Sequence, residues 1–169
     1  VEDIVRRIPG VVDTETGYTG GTLVDPTYDD VHTGRTGHAE AVRVTFDPRR
    51  LSYAELLGYF FRLHDPTTPN RQGPDKGSQY RSALFFRDET QKKAAFASKE
   101  KLDKAQRVQL PIVTQIVPAA TIWSAEDYAQ KYFQKIIKAG CSDAIPPPRP
   151  KRRASDPPHG APAAADAKH

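Results

Sequence analysis

The chain has 169 residues, length for one domain with a buried core. Its formal charge of +4 is too mild to point to nucleic acid, no run of about 18 apolar residues offers a transmembrane helix, and one cysteine excludes an internal disulfide. No secretory signal is visible, and the cytoplasm is the default compartment.

The chain opens on "VEDIVRRIPG", where Val1, Ile4, Val5 and Ile8 take the i, i+3, i+4, i+7 spacing of an apolar helix face. Glu2 and Asp3 suit a helix N-terminus and Pro9-Gly10 closes the segment, but no capping residue stands in front and no methionine starts the chain. "VVDTETGY" alternates as a strand, with Val12, Thr14, Thr16 and Tyr18 on one face, before Gly17, Gly20 and Gly21 break the pattern. The long polar loop "GTLVDPTYDDVHTGRTGHAE" comes next, and loops of that length in a compact domain are usually functional or disordered. "AVRVTFD" is a second strand with Val42, Val44 and Phe46 inward, stopped by Asp47-Pro48.

Ser52-Tyr53-Ala54-Glu55 is a capping box opening a helix whose stripe is Leu56, Phe60 and Leu63. A second long loop, "DPTTPNRQGPDKGSQY", leads to the strand "RSALFFR". Asp88 begins a lysine-rich surface helix reaching about Gln106, "PIVTQIV" is another strand, and Ser124 caps a last helix that Gly140 stops. Tyr128, Tyr132, Phe133, Ile136 and Ile137 supply that helix's apolar positions. Strands and helices interleave without strict alternation, so the expected class is α/β, or α+β: a small mixed sheet with helices packed on it. From Ser142 onward the Pro/Ala-rich sequence has no periodicity and is expected to be disordered. The expected division is therefore a domain over 1–141 and a basic tail over 142–169.

Polar candidates gather in the two loops: Tyr28, His32, His38 and Glu40 in the first, and His64, Asp65, Asp75 and Tyr80 in the second. Each also has a plain reading. The tyrosines can pack a ring and leave a wet hydroxyl, and Glu40 can be an exposed carboxylate or, next to an apolar strand, a buried acid with a raised pKa. His32, His38 and Glu40 match no familiar zinc spacing, and "GYTGG" lacks the lysine of a phosphate loop. "PPPRPKRR" has no interleaved aromatic residues to stack on bases and reads as a solvated tail. Spacing alone reaches a soluble α/β domain with a polar site built from loops, and names no reaction.

The same loops carry a resemblance. "GYTGG" at 17–21, "DPTYDDVHTGRTGHAEAVRVTFDP" at 25–48 and "HDPTTPNRQGPDKGSQYRSA" at 64–83 resemble the A-type peptide methionine sulfoxide reductases, and the likeness runs from Val1 to about Cys141. It implies a ferredoxin-like α+β sandwich with long functional loops, and thiol-dependent reduction of methionine-S-sulfoxide, free or in proteins, to methionine. Sulfoxide epimers are repaired by separate enzymes. The resemblance implies Glu40 as proton donor to the sulfoxide oxygen, Tyr28 and Tyr80 as hydroxyl donors to it, and Asp75 as a member of the same polar site. Cys141 takes the position of a resolving cysteine, with the alternative of a bystander thiol.

No cofactor and no metal are implied. Thioredoxin is the expected reductant, the chain is expected to be monomeric and cytoplasmic, and neither nucleic acid nor membrane is an expected partner. The family places its nucleophile in a "GCFWG" stretch, and "VEDIVRRIPG" resembles the family's segment directly after that stretch. The expectation is thus that the chain starts beyond the catalytic cysteine and is inactive as written. A non-catalytic module binding methionine sulfoxide or a protein is the alternative. Pro74 where the family commonly has Asn, Ala129 where His is frequent and His32 in place of a frequent Cys depart from the family pattern.

Overall fold

The computed structural model describes residues 1–105 and 108–139, so the predicted stop at Gly140, Cys141 and the 142–169 tail lie outside the described residues. Helix α1, Glu2–Val5, is a single turn with no side-chain cap at Val1. Of its predicted stripe, Val5 and Ile8 are buried against Leu51, whereas Val1 and Ile4 are exposed. One turn is too short to bury a whole face, and only the side toward the core is covered.

Strand β1, Val11–Thr19, pairs antiparallel with β2, Ala39–Phe46, in a register that sets Thr14 opposite Val44, Thr16 opposite Val42 and Tyr18 opposite Glu40. An irregularity between Val11 and Asp13 interrupts the predicted alternation. Val12 turns to solvent and Val11 packs with Val44 and Phe46 on the core, as an extra residue in one strand requires. Gly17, expected to break the strand, instead carries it on. Strand β7, Trp123–Ser124, lies on the other edge of β1, and a Cβ at position 17 would stand 2.5 Å from the Trp123 carbonyl oxygen. The order of this antiparallel sheet is β2-β1-β7.

Within the first polar loop lies a short helix the periodicity did not indicate, α2, Tyr28–His32. A Thr27–Asp30 capping box starts it: the Asp30 N–H donates to the Thr27 hydroxyl oxygen at 3.3 Å, and the Thr27 N–H to the Asp30 carboxylate at 2.8 Å. Helix α3, Tyr53–Leu63, has the predicted Ser52–Glu55 box. Its buried residue is Leu57, while Leu56, Tyr59 and Leu63 pack on the Val5–Ile8–Leu51 cluster. The second loop contains a hairpin, β3 at Arg71–Gln72 and β4 at Asp75–Lys76, and then a 3-10 turn at Ser78–Tyr80.

Strands β5, Ala83–Phe86, and β6, Gln115–Pro118, run parallel and are joined through α4, Glu89–Lys104, which Asp88 caps by accepting the Gln91 N–H at 2.8 Å. A parallel pair needs such a crossover. The predicted strand over 111–117 begins only at Gln115, because the Val113 N–H is taken by the Pro66 carbonyl. The last helix, α5, Tyr132–Ala139, starts later than expected. Ser124 is not its cap: it is paired in β7 and its hydroxyl donates to Glu15. Tyr128 therefore sits in a connecting segment, and on α5 Phe133 and Ile137 face solvent. The class is mixed α/β, as expected, with the strands divided among three small sheets. No helix among the described residues is long and apolar enough to cross a membrane.

Candidate active site

The first loop is held from below by His38, which is 1% exposed. The Gly21 N–H donates to its Nδ1 at 3.1 Å, and Nε2 lies 2.8 Å from the Leu23 carbonyl oxygen. These partners require the tautomer with its proton on Nε2. Both ring nitrogens are therefore committed to backbone, and His38 has no lone pair left for a metal. Close approach demands glycine here: a Cβ on Gly21 would lie 2.4 Å from both the Thr36 carbonyl oxygen and the His38 nitrogen. His32 is exposed and stacks on Tyr28, ring centroids 5.5 Å apart. Among the described residues no three His, Cys, Asp or Glu side chains are grouped to hold a metal ion.

The second loop docks onto the first through donors aimed at successive carbonyls. Gln79, 3% exposed, donates from Nε2 to the His32 carbonyl at 3.3 Å, the Ser78 hydroxyl to the Gly34 carbonyl at 3.2 Å, and Arg81 Nη2 to the Gly37 carbonyl at 3.0 Å. This seam carries Tyr80 toward α2 and the start of β2. Two of the polar candidates do other work. His64 lies between the Phe60 carbonyl and the Ser82 hydroxyl, 2.7 Å from each, and burial lowers its pKa. Asp65 accepts the Thr67 N–H and hydroxyl and so closes its own turn.

Glu40, Tyr28, Tyr80 and Asp75 come within electrostatic reach of one another. The Glu40 side chain stands at the second position of β2 and opens to solvent, yet protein atoms crowd one side of it. That desolvation, then the charges of Asp75 and Glu126, push its pKa above the usual glutamate value. Tyr28 is raised by desolvation and by Glu40, Asp29, Asp75 and Glu126, and Tyr80 is pushed up to about 12 by desolvation and by Glu40. A carboxyl inclined to keep its proton, beside phenols that stay protonated, makes a hydrogen-donating surface suited to an oxygen that gains negative charge.

Two further members of this cluster escaped the sequence reading. Glu126 and Tyr128 lie in the segment between β7 and α5, and Tyr128 is raised to about 12 by desolvation, Glu126, Tyr28, Asp29 and Glu40. Reading Ser124 as a helix cap placed Tyr128 among that helix's apolar positions, and nothing in the pattern singled out Glu126. Beneath them Tyr18, Val31 and Ala125 form a buried floor against which Tyr28 and Ala129 pack.

A cluster of proton-holding donors on a small α/β scaffold defines a class of catalytic or ligand-binding domain, and comparison with known proteins specifies it. The family described as peptide methionine sulfoxide reductase matches residues 1–157. The chain is 56% identical over 135 residues to the peptide methionine sulfoxide reductase MsrA of Methanoculleus marisnigri, covering 80% of this chain and 82% of that one. It is 53% identical over 141 residues to the MsrA of Geobacter sulfurreducens, covering 83% and 87%. Among solved structures it resembles methionine sulfoxide reductase A of Corynebacterium diphtheriae, with a TM-score of 0.71 at 32% identity over 93% of this chain and 77% of that one. Mxr1 of Saccharomyces cerevisiae in reduced form gives a TM-score of 0.71 at 35% identity over 82% and 76%. The chain belongs to the peptide methionine sulfoxide reductase family.

Proposed function

We infer that this cluster binds the sulfoxide group of methionine-S-sulfoxide, free or in oxidised proteins, and serves its thiol-dependent reduction to methionine. The observation that carries this is the meeting of Glu40, Tyr28 and Tyr80 from separate segments in a chain that matches the family over 1–157. Glu40 gives its proton to the sulfoxide oxygen, the two phenols donate hydrogen bonds to that oxygen as its charge grows, and Asp75 raises the proton affinity of all three. A thiolate attacks the sulfur, and with one proton taken up the oxygen passes to the thiol sulfur, leaving methionine and a sulfenic acid. A second thiol condenses with the sulfenic acid, releasing water and forming a disulfide, which a dithiol such as thioredoxin reduces by exchange. Cys141 is the proposed resolving thiol, in a monomer acting in the cytoplasm over a domain of residues 1–141.

The scheme uses two thiols and the 169 residues hold one. A second reading is a module that binds the sulfoxide without turning it over. An assay with a methionine-S-sulfoxide peptide and dithiothreitol separates them. The 169-residue chain gives no turnover, and a version extended ahead of Val1 by a strand ending in Gly-Cys-Phe-Trp-Gly does. In the extended protein Glu40→Gln lowers kcat by about 100-fold or more, the usual worth of a positioned general acid. An extended protein that stays inactive with Glu40 and both tyrosines intact overturns the enzyme reading.

A further inference from the structure

Glu126 takes part in none of the proposed chemical steps, yet it makes two short side-chain bonds beside the cluster. Its Oε2 accepts the Tyr18 hydroxyl at 2.8 Å and its Oε1 accepts the Tyr28 backbone N–H at 2.7 Å. Tyr18 is 2% exposed and stands directly opposite Glu40 in the β1–β2 ladder. Tyr28 is the first residue of α2. The Thr27–Asp30 box satisfies the N–H groups of Thr27 and Asp30, but the Tyr28 N–H has no partner inside the helix, and Glu126 supplies one. A single carboxylate thus ties the turn that presents one phenol to the strand neighbour of the acid.

The segment bearing Glu126 is itself pinned. The Ala125 N–H donates to the Thr16 carbonyl at 2.9 Å. The Gln130 side-chain amide imitates a strand: Oε1 accepts the Thr16 N–H at 2.9 Å and Nε2 donates to the Thr16 carbonyl at 2.6 Å. With both backbone groups of Thr16 bonded to the 125–130 segment, Glu126 has little freedom, and its bonds transmit the position of β1 to α2.

We propose that Glu126 is a positioning residue of this site, holding Tyr28 through the start of α2 and the Glu40 position of β2 through Tyr18 in one fixed arrangement. The proposal rests on the reading of the cluster as a sulfoxide site. The carboxylate also acts by charge. The titratable groups facing Glu40 are Asp75 from β4, Tyr18 from β1, Tyr28 from α2, Tyr80 from the 3-10 turn, and Glu126 and Tyr128 from the segment before α5. Of these, Asp75 and Glu126 are the carboxylates that favour a protonated Glu40.

Two substitutions in the 169-residue chain divide the roles. Glu126→Gln keeps an acceptor for the Tyr28 N–H and an amide group for Tyr18 but removes the charge, whereas Glu126→Ala removes both. The measurements are the pH titration of the Glu40 carboxyl carbon by NMR, hydrogen exchange at the Tyr28 amide, and binding of a short peptide containing methionine-S-sulfoxide. In Glu126→Gln the Glu40 midpoint falls toward the ordinary glutamate value while Tyr28 exchange stays as in the parent. In Glu126→Ala the Tyr28 amide exchanges about tenfold faster or more, as loss of a bond to a charged acceptor implies, and peptide binding weakens several-fold. An unmoved Glu40 midpoint in Glu126→Gln overturns the proposal even if the alanine variant does not fold, and so does unchanged Tyr28 exchange in a folded Glu126→Ala. If the parent chain does not bind the peptide, the sulfoxide reading fails instead, and the Glu40 and Tyr28 readouts still report on Glu126.

Discussion

Replacing His38 by alanine removes the bolt under the first loop. The imidazole accepts the Gly21 N–H at 3.1 Å and reaches the Leu23 carbonyl at 2.8 Å from a position only 1% exposed. Each of the two hydrogen bonds is worth about 1 kcal/mol net. Leu23 is exposed, so water can replace the ring at its carbonyl, but the half-buried Gly21 N–H is left short of a partner. A void the size of the ring adds about 1 kcal/mol more. The sum is about 3 kcal/mol, which for a chain of this size lowers Tm by roughly 10 °C. Urea unfolding followed by Trp123 fluorescence measures it, with the m-value checked for constancy. His38→Gln, which offers one acceptor and one donor, recovers part of the loss. A destabilisation below about 1 kcal/mol in the alanine variant would show that the loop is held by something other than this side chain.

Two further predictions concern the site and its support. The folded pKa of Glu40 lies above its ordinary value, so the native state binds that proton more tightly than the unfolded chain does. Stability is therefore lost as pH rises from the ordinary glutamate range through the raised pKa, and the loss is complete above it. Glu40→Gln should then melt higher than the parent at about pH 7.5 and equally at about pH 3.5, and a lower melting temperature at neutral pH would contradict the sign. Gly17→Ala places a methyl group 2.5 Å from the Trp123 carbonyl oxygen and must push β7 off β1. It should cost about 1–3 kcal/mol by thermal denaturation and, by releasing the segment between β7 and α5, speed exchange at the Tyr28 amide; an unchanged Tm refutes the close approach.

Local chemistry was legible in the sequence wherever one segment satisfies itself. The Ser52–Glu55 box and the Asp88 cap depend on neighbours a few residues away and form where the residues say, and the apolar runs read as strands over 41–47 and 81–87 pair at 39–46 and 83–86, which moves Glu40 from the loop into β2. The family resemblance also rests on sequence, and it singled out Glu40, Tyr28, Tyr80 and Asp75 together. Other features depend on partners roughly a hundred residues distant. Ser124 looks like a cap and becomes a strand because β1 offers it an edge, Gly17 looks like a break and is a clearance for Trp123, and Glu126, which no motif singles out, bonds Tyr18 and Tyr28. A hydrogen bond over that separation leaves no periodicity for a sequence to display. The acid and phenols were named by the sequence, and the carboxylate that bonds Tyr18 and the Tyr28 backbone emerged only once β1, α2 and the segment before α5 were brought into contact.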